Sequence, residues 1–139
     1  MLGRFTRDAG TSRLEALRPA IDRCFGGASV EEIVAALRKE PEAWAKEALA
    51  AMERASPLSL KLAFEVLRRG RGLEIEGALQ LEYRAMMHVI AGEDFYEGVR
   101  AVLIDKDQKP QWRSCSQSEV SDGDVERHFE SLGEQELRF

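Results

Sequence analysis

Helix starts and stops recur along this chain at intervals that leave room only for short helices. Ser29 stands three residues before Glu32, the spacing of a capping box, and Val30, Ile33, Val34 and Leu37 then return at helical spacing. Pro41 suits the first turn of a following helix, where its missing N–H is an orphan donor anyway, with Trp44, Ala48, Leu49 and Met52 as the apolar stripe. Ser56 and Pro57 repeat the device ahead of Leu58, Leu62, Phe64, Val66 and Leu67. Arg68 and Arg69 favour the negative end of that helix, and Gly70 or Gly72 suits its left-handed exit.

The same punctuation continues to the end. Leu73 to Ala91 is the longest candidate, with Leu79, Tyr83, Met86, Met87 and Ile90 expected to face inward and Gly92 to stop it. Asp94 reads as the cap of a helix from Phe95 to about Leu103, and Ser121 as the cap of one from Asp122 to Leu132. An earlier segment, Leu14 to Phe25, is helical in pattern but broken or started by Pro19. Val99 to Ile104 holds β-branched residues without alternation, so helix is preferred there too, and 109–120 reads as a surface loop. The expectation is an all-α chain of five to seven short helices.

Charge and cysteine usage narrow the function classes. The net charge is −5, with Lys and Arg spread through the chain, so direct nucleic-acid contact is not expected. Cys24 and Cys115 lack any metal-like or redox-motif spacing, which points to a reduced compartment. No apolar run nears the roughly 20 residues that a membrane span needs, so a soluble intracellular protein is expected. The first 13 residues, with Arg4, Arg7 and Arg13, read as a disordered or divergent start.

Candidate chemistry is sparse. Glu31 and Glu32 are explained by a helix start, and Glu74, Glu76 and Glu82 by solvated faces. His88 and His128 each lack a second ligand at metal spacing, so no metal site is expected. Cys24 is expected as a buried apolar side chain and Cys115 as an exposed one. The cluster Arg68, Arg69 and Arg71 is read as a helix C-terminus. No catalytic residue and no cofactor is expected in this chain.

The run Gly92-Glu-Asp-Phe-Tyr-Glu-Gly-Val-Arg-Ala-Val-Leu-Ile-Asp-Lys-Asp-Gln-Lys-Pro-Gln-Trp112 resembles the closing signature of the 3-hydroxyisobutyryl-CoA hydrolases, a branch of the enoyl-CoA hydratase/isomerase (crotonase) superfamily. Ser56-Pro-Leu-Ser-Leu-Lys61, Leu81-Glu-Tyr-Arg84 and Asp124-Val-Glu-Arg-His-Phe129 are similar to segments of that branch in the same order, as are Ile21 to Phe25 and Ser29 to Ile33. Glu97-Gly-Val-Arg-Ala101 is shared across the superfamily, whereas Val102 to Asp107 with Pro110 and Trp112 singles out the branch.

The resemblance implies that residues 14–139 are the C-terminal helical region of the fold, without the β/α spiral core that supplies the oxyanion hole and catalytic acids. It implies a mitochondrial enzyme of valine catabolism that hydrolyses a CoA thioester, with this chain inactive alone and acyl-CoA bound only together with an upstream domain. Lys106 is placed by it near CoA phosphates, while Phe95, Tyr96 and Trp112 are expected as packing anchors. The alternative is a non-catalytic module that docks on a full-length relative or a larger assembly such as the mitochondrial ribosome small subunit. Either role requires an exposed apolar face, open to a protein partner or to self-association.

Overall fold

A computed structural model describes Gly10 and residues 12–139. Among these described residues seven α-helices follow in order: α1 (Arg13–Phe25), α2 (Val30–Lys39), α3 (Ala43–Arg54), α4 (Pro57–Gly70), α5 (Ile75–Ile90), α6 (Glu93–Val99) and α7 (Asp122–Glu126). A π-helical turn, Arg100–Ile104, continues α6, and short 3-10 turns occupy Gln117–Glu119, Arg127–Phe129 and Gly133–Gln135. Among the described residues there is no strand, so the architecture is the expected all-α one. The expectation of a disordered start falls mostly on residues 1–9 and 11, which lie outside the described residues.

Several starts form as their side chains dictate. The Ser29 hydroxyl accepts from Glu32 N at 3.2 Å, Ser56 from Ser59 N at 3.2 Å, and Ser121 from Asp124 N at 3.1 Å. Each satisfies one of the donors that a helix start leaves without an intrahelical partner. Other boundaries differ from expectation. Pro41 lies outside α3, whose N-cap is Glu42. Pro19 sits inside α1 without ending it; it removes only the bond to the Glu15 carbonyl, and both residues are exposed. The helix expected over 122–132 ends at Glu126 and passes into a 3-10 turn, where Glu130 N reaches the Arg127 carbonyl.

The core has two parts. Cys24, Ile33, Leu37 and Ala45 form one, joined by Trp44, Leu49, Met52 and Phe64, and hold α1, α2 and α3 against α4. Leu62, Ala85, Val120, Val125 and Phe129 form the other, joined by Leu58, Val66, Leu81 and Val89, and hold α4, α5 and the C-terminal segment together. Helix α4 bridges them, and Lys61 sits at the junction, 2.8 Å from Glu31 and 3.0 Å from the Val120 carbonyl.

The C-terminal segment is strapped to α5 by polar contacts. Gln80 donates to the Leu137 carbonyl at 3.0 Å, Arg84 to Glu136 at 2.8 Å, and His88 Nε2 lies 3.1 Å from the Glu130 carbonyl. Arg69, paired with both Glu65 and Glu126, lies 4.1 Å over the Phe129 ring, a cation–π contact that seals the second core.

Helix α5 carries two apolar faces rather than one. Leu81, Ala85 and Val89 turn into the core. Ile75, Leu79, Met86 and Ile90, spaced to share a different face, are exposed, Ile75 to 70% and Met86 to 53%. The expectation that Leu79, Met86 and Ile90 face inward is therefore corrected. The π-helical turn adds exposed Val102, Leu103 and Ile104, with Phe95 and Tyr96 on α6.

Candidate functional site

The segment from Gly92 to Arg113 converges on one side chain, Arg100. Its guanidinium has five N–H donors, and all five are used. Nε and Nη2 make a two-point contact with the Glu97 carboxylate at 2.9 and 2.8 Å. Nη1 donates to Asp105 at 2.6 Å and to Asp107 at 2.8 Å, and Nη2 also reaches the Lys109 carbonyl at 3.2 Å. Glu97 Oε1 accepts from Gln111 N at 2.7 Å, and Asp107 Oδ1 from Lys109 N at 2.9 Å. Arg100 thus closes a ring of polar contacts around the turn that follows α6.

The electrostatics follow from that geometry. The Arg100 guanidinium, helped by the Gln111 N–H, holds the Glu97 carboxyl down at about 2. Arg100 and the Lys109 N–H likewise lower Asp107, and Arg100 itself is raised by Glu97, Asp107 and Asp105.

The backbone within the ring is unusual. Asp105 N bonds back to the Arg100 carbonyl at 2.8 Å, five residues earlier, which is the wide turn of a π-helix. Gln108 N reaches the Ala101 carbonyl at 3.1 Å. Lys106 and Gln108 both take φ of 57°, a left-handed conformation that non-glycine residues hold only where the surroundings enforce it. Lys106 is exposed at the outer edge of the turn, and neither flanking carboxylate pairs with it, since both are turned onto Arg100.

A second set of contacts fixes the turn to the helices. The Trp112 indole N–H donates to the Arg54 carbonyl at 3.0 Å, and its ring lies against Gly98. Asp94, expected as a helix cap, instead bridges two elements: it accepts from the Ser56 hydroxyl at 2.5 Å and from Arg113 N at 2.9 Å. Gly92 takes the cap position of α6. Between these anchors lies a shallow apolar cleft of about 450 Å³, walled by Val89, Phe95, Val99, Val102, Leu103 and Trp112. Trp112 is thus an anchor as expected, whereas Phe95 and Tyr96 stack edge to face in exposed positions.

The other candidates are placed apart from this segment. Glu74 is the N-cap residue of α5 and Glu76 lies in its first turn, while Glu82 is exposed. The His88 and His128 rings lie 6.0 Å apart, and His128 Nδ1 is 2.8 Å from the Asp124 carbonyl. Among the described residues no group of three or more His, Cys, Asp and Glu side chains is arranged to hold a metal ion. Cys24 is buried, and that burial, with the Glu40 carboxylate 3.9 Å away, raises its thiol; Cys115 is free and exposed. Arg68 pairs with Glu65, and Arg71 follows the last turn of α4. No described helix is long and apolar enough to cross a membrane. The Arg100 ring was not among the sequence expectations, since Asp105 and Asp107 reach the guanidinium only through the π-helical turn.

Comparison with known proteins gives these features a setting. The zebrafish (Danio rerio) mitochondrial 3-hydroxyisobutyryl-CoA hydrolase is 42% identical over 135 residues, covering 91% of this chain and 35% of its own length. The human enzyme of the same name is 40% identical over 126 residues, covering 91% of this chain and 33% of its own. The chain therefore spans about a third of the length of these relatives, and it matches their C-terminal part. A crystal structure of an enoyl-CoA hydratase from Rhodobacter sphaeroides superposes with a TM-score of 0.88 at 40% identity, over 96% of this chain and 40% of that one. A carnitinyl-CoA dehydratase from Mycobacterium thermoresistibile gives the same TM-score at 34% identity, over 96% of this chain and 38% of that one. A family model described as enoyl-CoA hydratase/isomerase matches residues 2–129. With sequence, helix order and the Gly92–Trp112 segment in agreement, this chain belongs to the enoyl-CoA hydratase/isomerase family, as a helical region similar to the C-terminal part of the 3-hydroxyisobutyryl-CoA hydrolases.

Proposed function

We propose that this chain is the helical tail of a 3-hydroxyisobutyryl-CoA hydrolase, acting in CoA-thioester hydrolysis and valine catabolism only together with a catalytic domain, and inactive alone. The match to the C-terminal third of enzymes bearing that name carries the reading. The exposed stripe of Ile75, Leu79, Met86 and Ile90, continued by Val102, Leu103 and Ile104, supports it as the surface that would meet that domain. The tail's part in the reaction is then to close the acyl-CoA pocket and exclude water, with Lys106 meeting a CoA phosphate. The animal relatives are named mitochondrial, and the same location is proposed for this chain.

The test is a chimera in which this chain replaces the C-terminal third of the zebrafish relative. Hydrolysis of 3-hydroxyisobutyryl-CoA by the chimera, with none by the isolated chain, is the expected result. A chimera that folds but does not close on acyl-CoA counts against the reading.

A second reading draws on the same apolar face: a non-catalytic module seated on a full-length relative or on a larger assembly such as the mitochondrial ribosome small subunit. A stoichiometric complex that lacks thioesterase activity would favour it over the hydrolase tail.

A further inference from the structure

We propose that Arg100 is a positioning residue that makes Lys106 an anion contact, by holding its left-handed turn and by withdrawing both flanking aspartates. This rests on the reading of Lys106 as a contact for a CoA phosphate. In sequence that reading meets an objection, because a lysine between two aspartates should repel phosphate. The geometry answers it. Asp105 and Asp107 lie 2.6 and 2.8 Å from Arg100 Nη1, so their charge is directed at the guanidinium rather than at Lys106. The two-point contact with Glu97 fixes Arg100 itself, and its bond to the Lys109 carbonyl closes the turn.

The turn is held from several sides at once. Lys106 and Gln108 at φ of 57° cost conformational energy in any non-glycine residue, and Asp107 supports them by accepting from Lys109 N. Ala101, fully buried, anchors the base through the Gln108 N–H. A lysine in place of Arg100 keeps the charge but lacks the planar five-donor fork needed to serve Glu97, Asp105, Asp107 and a carbonyl together. Arg100 therefore acts on the ligand only through Lys106.

Two probes separate the phosphates of CoA: inorganic pyrophosphate for its diphosphate, and adenosine 3′,5′-bisphosphate for its 3′-phosphate. Each is titrated into the chimera that joins this chain to the zebrafish catalytic region, isotopically labelled, while amide shifts are followed, and amide exchange at 106–109 is measured without ligand. At least one probe should shift residues 105–109. Lys106→Gln should weaken that binding about threefold to fivefold, the factor expected of one exposed ion contact, while exchange stays as in the wild type. Arg100→Lys and Arg100→Gln should weaken it as much and also speed exchange at 106–109. If Lys106→Gln binds like the wild type, or neither probe shifts the turn, the phosphate reading of Lys106 falls and this inference with it. If Lys106→Gln weakens binding but both Arg100 variants bind and exchange as the wild type does, the role of Arg100 is overturned while that of Lys106 stands.

Discussion

The Ser56 hydroxyl donates to the Asp94 carboxylate at 2.5 Å, tying the start of α4 to α6 across 38 residues of sequence. Ser56 is 3% exposed and also caps α4 by accepting from Ser59 N, while Asp94 reaches on to Arg113 N. Ser56→Ala therefore removes a cap and strips Asp94 of one donor, a loss of about 1–2 kcal/mol. Asp94→Ala should cost a similar amount, and the double variant less than the sum, because both changes break the same bond. Urea unfolding of the three variants measures this, and strict additivity would show that the contact carries no coupling.

Acid should loosen the Arg100 ring late. Glu97 is held at about 2, below the roughly 4.3 of a free glutamate, and Asp107 is also lowered. A depressed carboxylate contributes stability that is present above its unfolded value and is lost as pH falls through its folded one. For Glu97 that window runs from about pH 4.3 down to about 2. Carboxyl chemical shifts followed against pH should show Glu97 titrating well below the roughly 4.3 of a free glutamate. Titration of Glu97 at that free value would contradict the ring.

Gly98 lies in α6 with the Trp112 ring beside it. An added Cβ would stand 3.4 Å from that ring, an ordinary van der Waals approach. Gly98→Ala should therefore gain helix propensity, by about 0.5–1 kcal/mol, without moving Trp112. A fall in the thermal midpoint would mean that the ring cannot give.

How much of this was legible in the sequence depends on whether one segment or several fix the feature. Ser29, Ser56 and Ser121 name their helix starts because the capping partner lies three residues on. Asp94 misleads because its partners, Ser56 and Arg113, are tertiary. Periodicity marked α5 as apolar without separating its two faces: Leu81, Ala85 and Val89 meet α4 and Phe129, while Ile75, Leu79, Met86 and Ile90 do not. The family was readable from the Gly92–Trp112 run, yet the ring around Arg100 was not, since it needs a π-helical turn to bring Asp105 and Asp107 back onto it.

The outer face of α5 should tolerate polarity in the isolated chain. Met86 is 53% exposed, and Met86→Lys places a cation four residues after Glu82, a favourable helical pair. Stability should stay within about 0.5 kcal/mol of the wild type, while binding of a hydrophobic dye and self-association both fall. In the chimera the same change should weaken activity. A large loss of stability in the isolated chain would instead place Met86 in the chain's own core.

The most direct measurement is hydrolysis of 3-hydroxyisobutyryl-CoA by the purified 139-residue chain, assayed beside the chimera that joins it to the zebrafish catalytic region. The account predicts free CoA released by the chimera and none above background by the chain alone. Turnover by the isolated chain at an enzyme-like rate would contradict it.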